Sequence, residues 1–577
     1  MIEEPYLLRA DHPVLRPPDA SDSIVEMAIV PSSACRGPAR LASAVAALLL
    51  ASTLAADEIV PPIPPDRVLE ESNAVIGRII IDNQNIFDLE NPKEDNALFR
   101  FANRIHIRTR PSTIRAQLLF ESGDPYRRRL LDESERILRS NSYLYEAEIV
   151  PVSYADGRVD VRVFTRDVWT LKPGLSFSRS GGKNRASIEL EEENFLGRGG
   201  GLSVGRSTDE ERDSTFFQYS DKHLGGSWLA LGLTWANNSD GHARALNIEH
   251  PFYALDTRRA AGAGFADELR EDPVYEEGDE IARFRHDIDY LEAHYGWSDG
   301  LRDGWARRWF AGIVRDEHGF EPAPGEPEPL VIPEDRKLIY PFVGFQLVQD
   351  HYWKGENLDQ IRQTEDFALG TQLTLRLGWS DPAFGADRSA LVFSGEVGRG
   401  FGDPASKLLL LSGWTAGRLE SGDLANALLG GSARFYLRQS EKHLFFMALG
   451  GDVAEDLDMD NVIDIGGDNG LRGYPLRYQR GTARALFTIE QRRFTDYYLF
   501  RLFRVGAAAF FDAGRTWGDN PQGLDSRGWL RDVGIGLRLN STRSSLGKMI
   551  HIDLAFPLDG DDDIDEVQLL LEGKRSF

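Results

Sequence analysis

Three residues late in the chain have the types that make a strong ion pair. They are Arg472 in "DNGLRGYPLRYQRG", Glu490 in "ARALFTIEQRRF" and Asp512 in "VGAAAFFDAGRTW". A guanidinium is a planar fork that can donate to two carboxylates at once, and such charge-assisted bonds are the strongest polar contacts a side chain makes. Two-residue alternation sets Phe487 and Ile489 against Thr488, Glu490 and Arg492, and sets Ala507, Ala509 and Phe511 against Asp512 and Gly514. If the two stretches are neighbouring strands, both acids project from one face and need a cation between them. Arg472 can supply it. Gly473 permits tight backbone passage, and Tyr474 with Pro475 stiffens the turn. This is structural chemistry, and in a wet setting the loss of Arg472 would cost about 1–3 kcal/mol.

Other chemistries find less support. "GRGGG" at Gly197–Gly201 lacks the following lysine and helix of a phosphate loop, so a strand turn is expected there. "DLDMDNVID" opens like a calcium loop with Asp456, Asp458 and Asp460. However, Asn461 replaces the required glycine, and Gly467 stands where the bidentate glutamate belongs. HExxH and a cysteine–histidine pair are missing from the sequence, and its 11 histidines are scattered along it. No catalytic residue, metal ligand or cofactor is expected. The net charge of −25 argues against a nucleic-acid partner.

The elements that must position these residues read as strands. From about Lys172 onward no helical period appears and strict alternation recurs. "FALGTQLTLRLGWS" places Phe367, Leu369, Leu373, Leu375, Leu377 and Trp379 on one face and Gly370, Gln372, Thr374, Arg376 and Ser380 on the other. "SWLALGLTWA" and "DVGIGLRLN" alternate in the same way. A soluble sandwich would also alternate, but its inner face would carry valine rather than arginine and glutamine. Aromatics such as Trp235, Trp379 and Phe556 lie near strand ends, as interfacial girdles do. Apolar-out, polar-in strands point to a transmembrane antiparallel β-barrel over 172–577, because a closed sheet leaves no unpaired backbone in lipid. Val567, Leu569, Leu571, Gly573 and the terminal Phe577 share one face of the last strand, a barrel-closing pattern that Arg575 interrupts.

Ahead of the barrel, residues 73–171 read as one small α+β domain. "AVIGRIIID" is a strand and "DPYRRRLLDESERILRS" an amphipathic helix with Leu130, Leu131, Ile137 and Leu138 on one face and charges opposite. "YLYEAEIVPVSY" and "RVDVRVFTRDVWTL" form a hairpin about Asp156-Gly157. Residues 56–72 form a proline-rich linker. "LASAVAALLLASTLAA" is short for a spanning helix, follows Arg36 and Arg40, and ends in small residues. It reads as a secretory signal cut after Ala55. Residues 1–55 are therefore expected to be a gene-model extension plus signal peptide, with translation starting at Met27. The single cysteine, Cys35, would leave with them, so the mature chain would hold no disulfide.

At these residues the chain resembles the BamA/TamA superfamily of outer-membrane assembly and secretion barrels, the bacterial surface antigen type. "LRGY" is similar to that family's in-folded loop motif, "IEQRR" to its glutamate strand and "FFDAG" to its aromatic-x-Asp-x-Gly strand. "FESGDPYRRRLLDESERILRSNSYLYEAEIVPV" with "GRVDVRVFTRD" resembles a periplasmic POTRA domain of βααββ order, and "EENFLGRGGGLSVG" resembles the first barrel hairpin. The likeness covers residues 73–577. A single POTRA unit is readable, fewer than the well-known members carry, and Leu471 stands where valine is commoner.

The resemblance implies about sixteen strands in the outer membrane, with the POTRA domain in the periplasm and no enzyme activity. It also implies insertion or translocation of other proteins. The implied partners are unfolded outer-membrane or secreted clients and outer-membrane lipid, with periplasmic or lipoprotein accessories as further candidates. A passive pore or surface-structural barrel is the alternative, and lipid transport a third reading.

Overall fold

The computed structural model describes residues 63–574 apart from 181–182, 209–211, 277–278, 326, 328, 330, 468, 519–527, 546–548 and 561–563. The expected signal segment, Cys35, Arg575 and Phe577 lie outside the described residues.

Residues 66–167 build a small sheet covered by helices. Strand β1 (Val75–Gln84) runs parallel to β3 (Arg158–Asp167), which pairs antiparallel with β2 (Leu144–Ala155), giving the order β1-β3-β2. Between β1 and β2 lie α2 (Ala97–Ile105), α3 (Pro111–Arg115) and α4 (Arg128–Arg139), and α1 (Asp66–Glu71) precedes β1. Val159, Val161 and Val163 alternate with polar neighbours on β3 and are fully buried, packed with Ile149 of β2 and with Leu131 and Leu138 of α4. A β-branched row on a half-buried strand and a leucine stripe on a helix cover each other's apolar faces.

The remaining strands, apart from two short pairs (Tyr352–Gly355 with Glu365–Ala368, and Ile463–Ile465 with Gln479–Gly481), close into an antiparallel barrel from Leu171–Ser180 to Gln568–Lys574. It has twenty strands among the described residues, four more than the expected sixteen. The difference comes from economical turns. Strand ends at Asn238/Gly241, Arg302/Trp305, Glu420/Asp423 and Ser440/His443 are separated by only two residues, so the same length of chain makes more crossings. The outward rows are apolar: Leu375, Leu377 and Trp379 on one strand and Val533, Ile535 and Leu537 on another are exposed, while Asp532, Arg538 and Asn540 face the lumen and are buried. That is the arrangement lipid requires of a spanning sheet.

Two expectations need correction. "FALGTQLTLRLGWS" is not one strand: it breaks at 369–371, where a Cβ on Gly370 would lie 2.6 Å from the Gln349 carbonyl. Phe367 and Leu369 leave the outer face and pack in the lumen. "EENFLGRGGGLSVG" is the connection between the second and third barrel strands (Lys183–Glu192 and Gly201–Thr208), not the first hairpin.

Two connections fold inward. Residues 350–371 join Arg336–Gln349 to Gln372–Ser380 at the end that carries the small sheet, hereafter the near end. They form a hairpin of Tyr352–Gly355 with Glu365–Ala368. At its tip Leu358 and Ile361 are fully buried against Leu408, Leu444, Phe446 and Met549 of the barrel wall. Glu365 closes the tip by accepting the backbone N–H groups of Leu358, Asp359 and Gln360 at 2.8–3.1 Å. From the far end, residues 456–482 enter between His443–Glu455 and Ala483–Leu499.

Candidate functional site

The far loop is held by Arg472. Its Nε and Nη2 donate to the two oxygens of Asp512 at 2.7 and 2.9 Å, and its Nη1 donates to Glu490 at 2.8 Å. Ladder register explains the convergence: Glu490 stands opposite Phe510 and Thr488 opposite Asp512, so the acids share the lumen face of adjacent strands. The Phe510 ring lies flat under the guanidinium, 3.5 Å from its carbon. A charged fork, two carboxylates and an aromatic face together satisfy the donors of a group that is 7% exposed. Thr488 donates to Asp512 as well, and Asp553 lies 3.7 Å from Arg472 while pairing with Arg538.

The neighbours of Arg472 fix the loop just as closely. The N–H of Gly473 donates to Asp532 at 3.0 Å, and a Cβ at Gly473 would sit 2.6 Å from the Asp532 Cβ, so only glycine fits. Gly514 leaves the hollow that Leu471 fills; a Cβ there would be 3.2 Å from Leu471 and 2.8 Å from Leu486. Tyr474 is fully buried, and its hydroxyl lies 2.8 Å from the Arg531 carbonyl and 3.1 Å from that of Asp559. It also accepts the Arg531 N–H at 3.0 Å. One phenol thus ties the loop tip to two strand ends. Phe577, the remaining residue singled out by sequence, is outside the described set.

Alternation had placed Arg492 inward without assigning it a partner. It donates to Glu490 at 2.9 Å, to the Leu358 carbonyl at 2.9 Å and to Asp359 at 3.1 Å, with its guanidinium 3.8 Å from the Phe446 ring centroid. Asp512, Arg472, Glu490, Arg492 and Asp359 therefore form one continuous ionic chain from the far loop to the near hairpin. Asp359 had no sequence signal, because it lies at the hairpin tip and its partner Arg492 stands far away along the chain. The hairpin in turn meets α4: Arg139 makes a bidentate pair with Asp366 at 2.7 Å, and Lys354 donates to Glu135 at 2.8 Å. The helix face opposite the leucines is a docking face. Glu133 accepts the Leu255 N–H at 2.7 Å, and Arg129 pairs with Asp256.

The acidic run 456–460 is occupied differently from a calcium loop. Arg418 binds Asp458 at 2.7 and 2.8 Å and Arg336 binds Asp460 at 2.7 Å through both nitrogens, which anchors the start of the far loop to the wall.

No protein-family model matches the chain, and no curated protein matches it. Similar solved structures include BamA from Haemophilus ducreyi lacking POTRA domains 1–3, with 12% identity, 86% of this chain and 83% of that chain covered, and a TM-score of 0.38. CdiB from Acinetobacter baumannii is 12% identical over 87% of this chain and 73% of its own, with a TM-score of 0.43. CdiB from Escherichia coli is 15% identical over 87% and 77%, also with a TM-score of 0.43. Likeness at this level leaves the function to be argued from the residues of this chain.

Proposed function

We propose that the chain is an outer-membrane barrel that inserts or translocates other proteins. In this reading 73–171 is a single POTRA-type domain in the periplasm, 172–577 is the barrel, and residues 1–55 are removed on export. The observation that carries the reading is the seam. Among the described residues the first and last barrel strands share one ladder pair, Leu571 opposite Arg179, whereas the next pair along, Leu171–Ser180 with Lys183–Glu192, shares ten. A short seam is where a closed sheet can offer an edge to a client strand. The lumen supports the reading too. A passive pore needs an open channel, and here two inward connections are joined across the lumen through Glu490 and Arg492.

The partners are then unfolded outer-membrane or secreted proteins together with membrane lipid, and the reaction is non-enzymatic. Quantitative outer-membrane proteomics of a deletion strain, set beside single-channel conductance of the purified barrel, tests this. Depletion of particular outer-membrane or secreted proteins with a low basal conductance is expected. An unchanged proteome with steady large conductance would overturn the proposal in favour of a pore.

A further inference from the structure

Two of the histidines scattered through the sequence meet in the fold. His286 and His318 stand on the adjacent strands Asp279–Arg302 and Trp305–Pro322, where His286 opposes Phe320 and Ile288 opposes His318. Both face the lumen side and are 2% and 3% exposed. The outer faces of these stretches carry Arg285, Asp287, Asp289, Arg315 and Glu317. The exposed apolar residues Leu291, Tyr295, Trp297, Trp309 and Ile313 come nearer the small sheet, and Ile281 lies beyond His286. The pair thus sits beyond the apolar belt, at the far end.

Each ring has one nitrogen on a carboxylate: His286 Nδ1 is 2.7 Å from Asp272, and His318 Nε2 is 2.9 Å from Asp316. The two remaining nitrogens, His286 Nε2 and His318 Nδ1, face each other at 2.7 Å. A neutral imidazole carries one proton on two nitrogens. If each ring donates to its carboxylate, neither facing nitrogen holds a proton, and two lone pairs point at one another. A positive charge then stands between them, either a shared proton or a metal ion; in the other tautomer His286 Nδ1 accepts from Arg270 at 3.4 Å and His286 Nε2 donates to His318 Nδ1.

A third oxygen donor favours the metal. Ligand atoms of His286, His318 and Asp460 all lie within 4.8 Å of one another. A carboxylate on the outer nitrogen is the arrangement that orients metal-ligating histidines and raises their basicity. Two imidazoles and a carboxylate suit the borderline divalent ions. With metal–nitrogen bonds of about 2.0–2.1 Å and tetrahedral angles, the facing nitrogens need only open by about 0.6 Å. The Phe320 ring, stacked on His286 at 4.4 Å, forms an apolar wall. Other charges close by are Arg270, 3.4 Å from His286 Nδ1 and paired with Asp272 and Glu268, and Arg336, which holds Asp460. Asp460 keeps lone pairs beyond the two that Arg336 uses.

We propose that His286, His318 and Asp460 form a binding site for Zn2+ or a closely similar divalent transition metal, which latches the root of the far loop to the barrel wall. The site does not depend on what the barrel carries. The test is to strip the full chain, purified in detergent without a histidine tag, with chelator and titrate it with Zn2+ alone by calorimetry. One saturable equivalent is expected. His286→Gln and His318→Gln should each weaken binding at least tenfold, while Asp289→Asn, on the outer face, should leave it unchanged. X-ray absorption of the zinc-loaded wild-type protein should show imidazole nitrogen in the first shell, a readout that stands even if a variant misfolds. Absence of saturable binding, or zinc without imidazole ligands, would overturn the site and leave a hydrogen bond between the rings.

Discussion

Arg472 is the residue on which the loop turns, and burial sets its energetic weight. A wet lumen led to an expected cost of about 1–3 kcal/mol for its loss. Glu490 is instead 4% exposed and Asp512 fully buried, so removing the cation strands two carboxylates away from water. Breaking such a buried network costs about 3–5 kcal/mol. Arg472→Ala should therefore lower the thermal unfolding temperature of the barrel markedly. Arg472→Lys should recover little, because a point charge cannot serve both acids and also lie flat on Phe510. Arg472→Ala with Asp512→Ala should cost less than the two single changes added together. Strict additivity in that cycle, read by thermal unfolding in detergent, would contradict the geometry.

At the scale of elements, the near hairpin links the barrel to the small sheet through α4. Burial works to raise the Glu135 pKa, but the hydrogen bonds from Lys354 and the Ile149 N–H outweigh it and hold the carboxyl below its ordinary value. Undocking removes Lys354, so docking raises the fraction ionised and gains from it. That gain is fully present above the ordinary glutamate pKa of about 4.3 and is lost as pH falls through the depressed value. Hydrogen-exchange protection of 128–139, taken relative to the intrinsic rate at each pH, should therefore be high at neutral pH and fall on acidification. In Lys354→Met it should be lower already at neutral pH, and unchanged protection in that variant would mean the contact does not hold the helix.

Parts of these elements were legible in the sequence. Period-two alternation put Glu490, Asp512, Asp532 and Arg538 on the inner face, since lipid on one side leaves polar residues only the other. The near hairpin was not legible, because Phe367 and Leu369 keep the alternation of the strand that follows and nothing local marks the break except Gly370. Nor was the docking face of α4, whose Glu133 and Glu135 look solvated until Leu255 and Lys354 are brought to them. His286 and His318 required the ladder register, which no local pattern supplies.

For the whole molecule, the decisive question is whether the wall opens. Nearly every neighbouring pair of barrel strands is zipped by a long ladder, up to eighteen residue pairs between Arg259–Glu276 and Asp279–Arg302. The seam has one pair among the described residues. Each missing backbone pairing lowers the cost of separation, so the barrel should part between Leu171–Ser180 and Gln568–Lys574 before it parts elsewhere. Arg179→Cys and Leu571→Cys, opposite each other across that seam, can be joined by a short thiol crosslinker in a chain that also carries Cys35→Ser. Crosslinking should abolish client insertion or export while leaving the folded barrel heat-modifiable on gels. Reduction of a cleavable linker should restore activity. Full activity in the locked barrel would move the route away from the seam and into the lumen, where Arg472 and Arg492 would then have to release their partners.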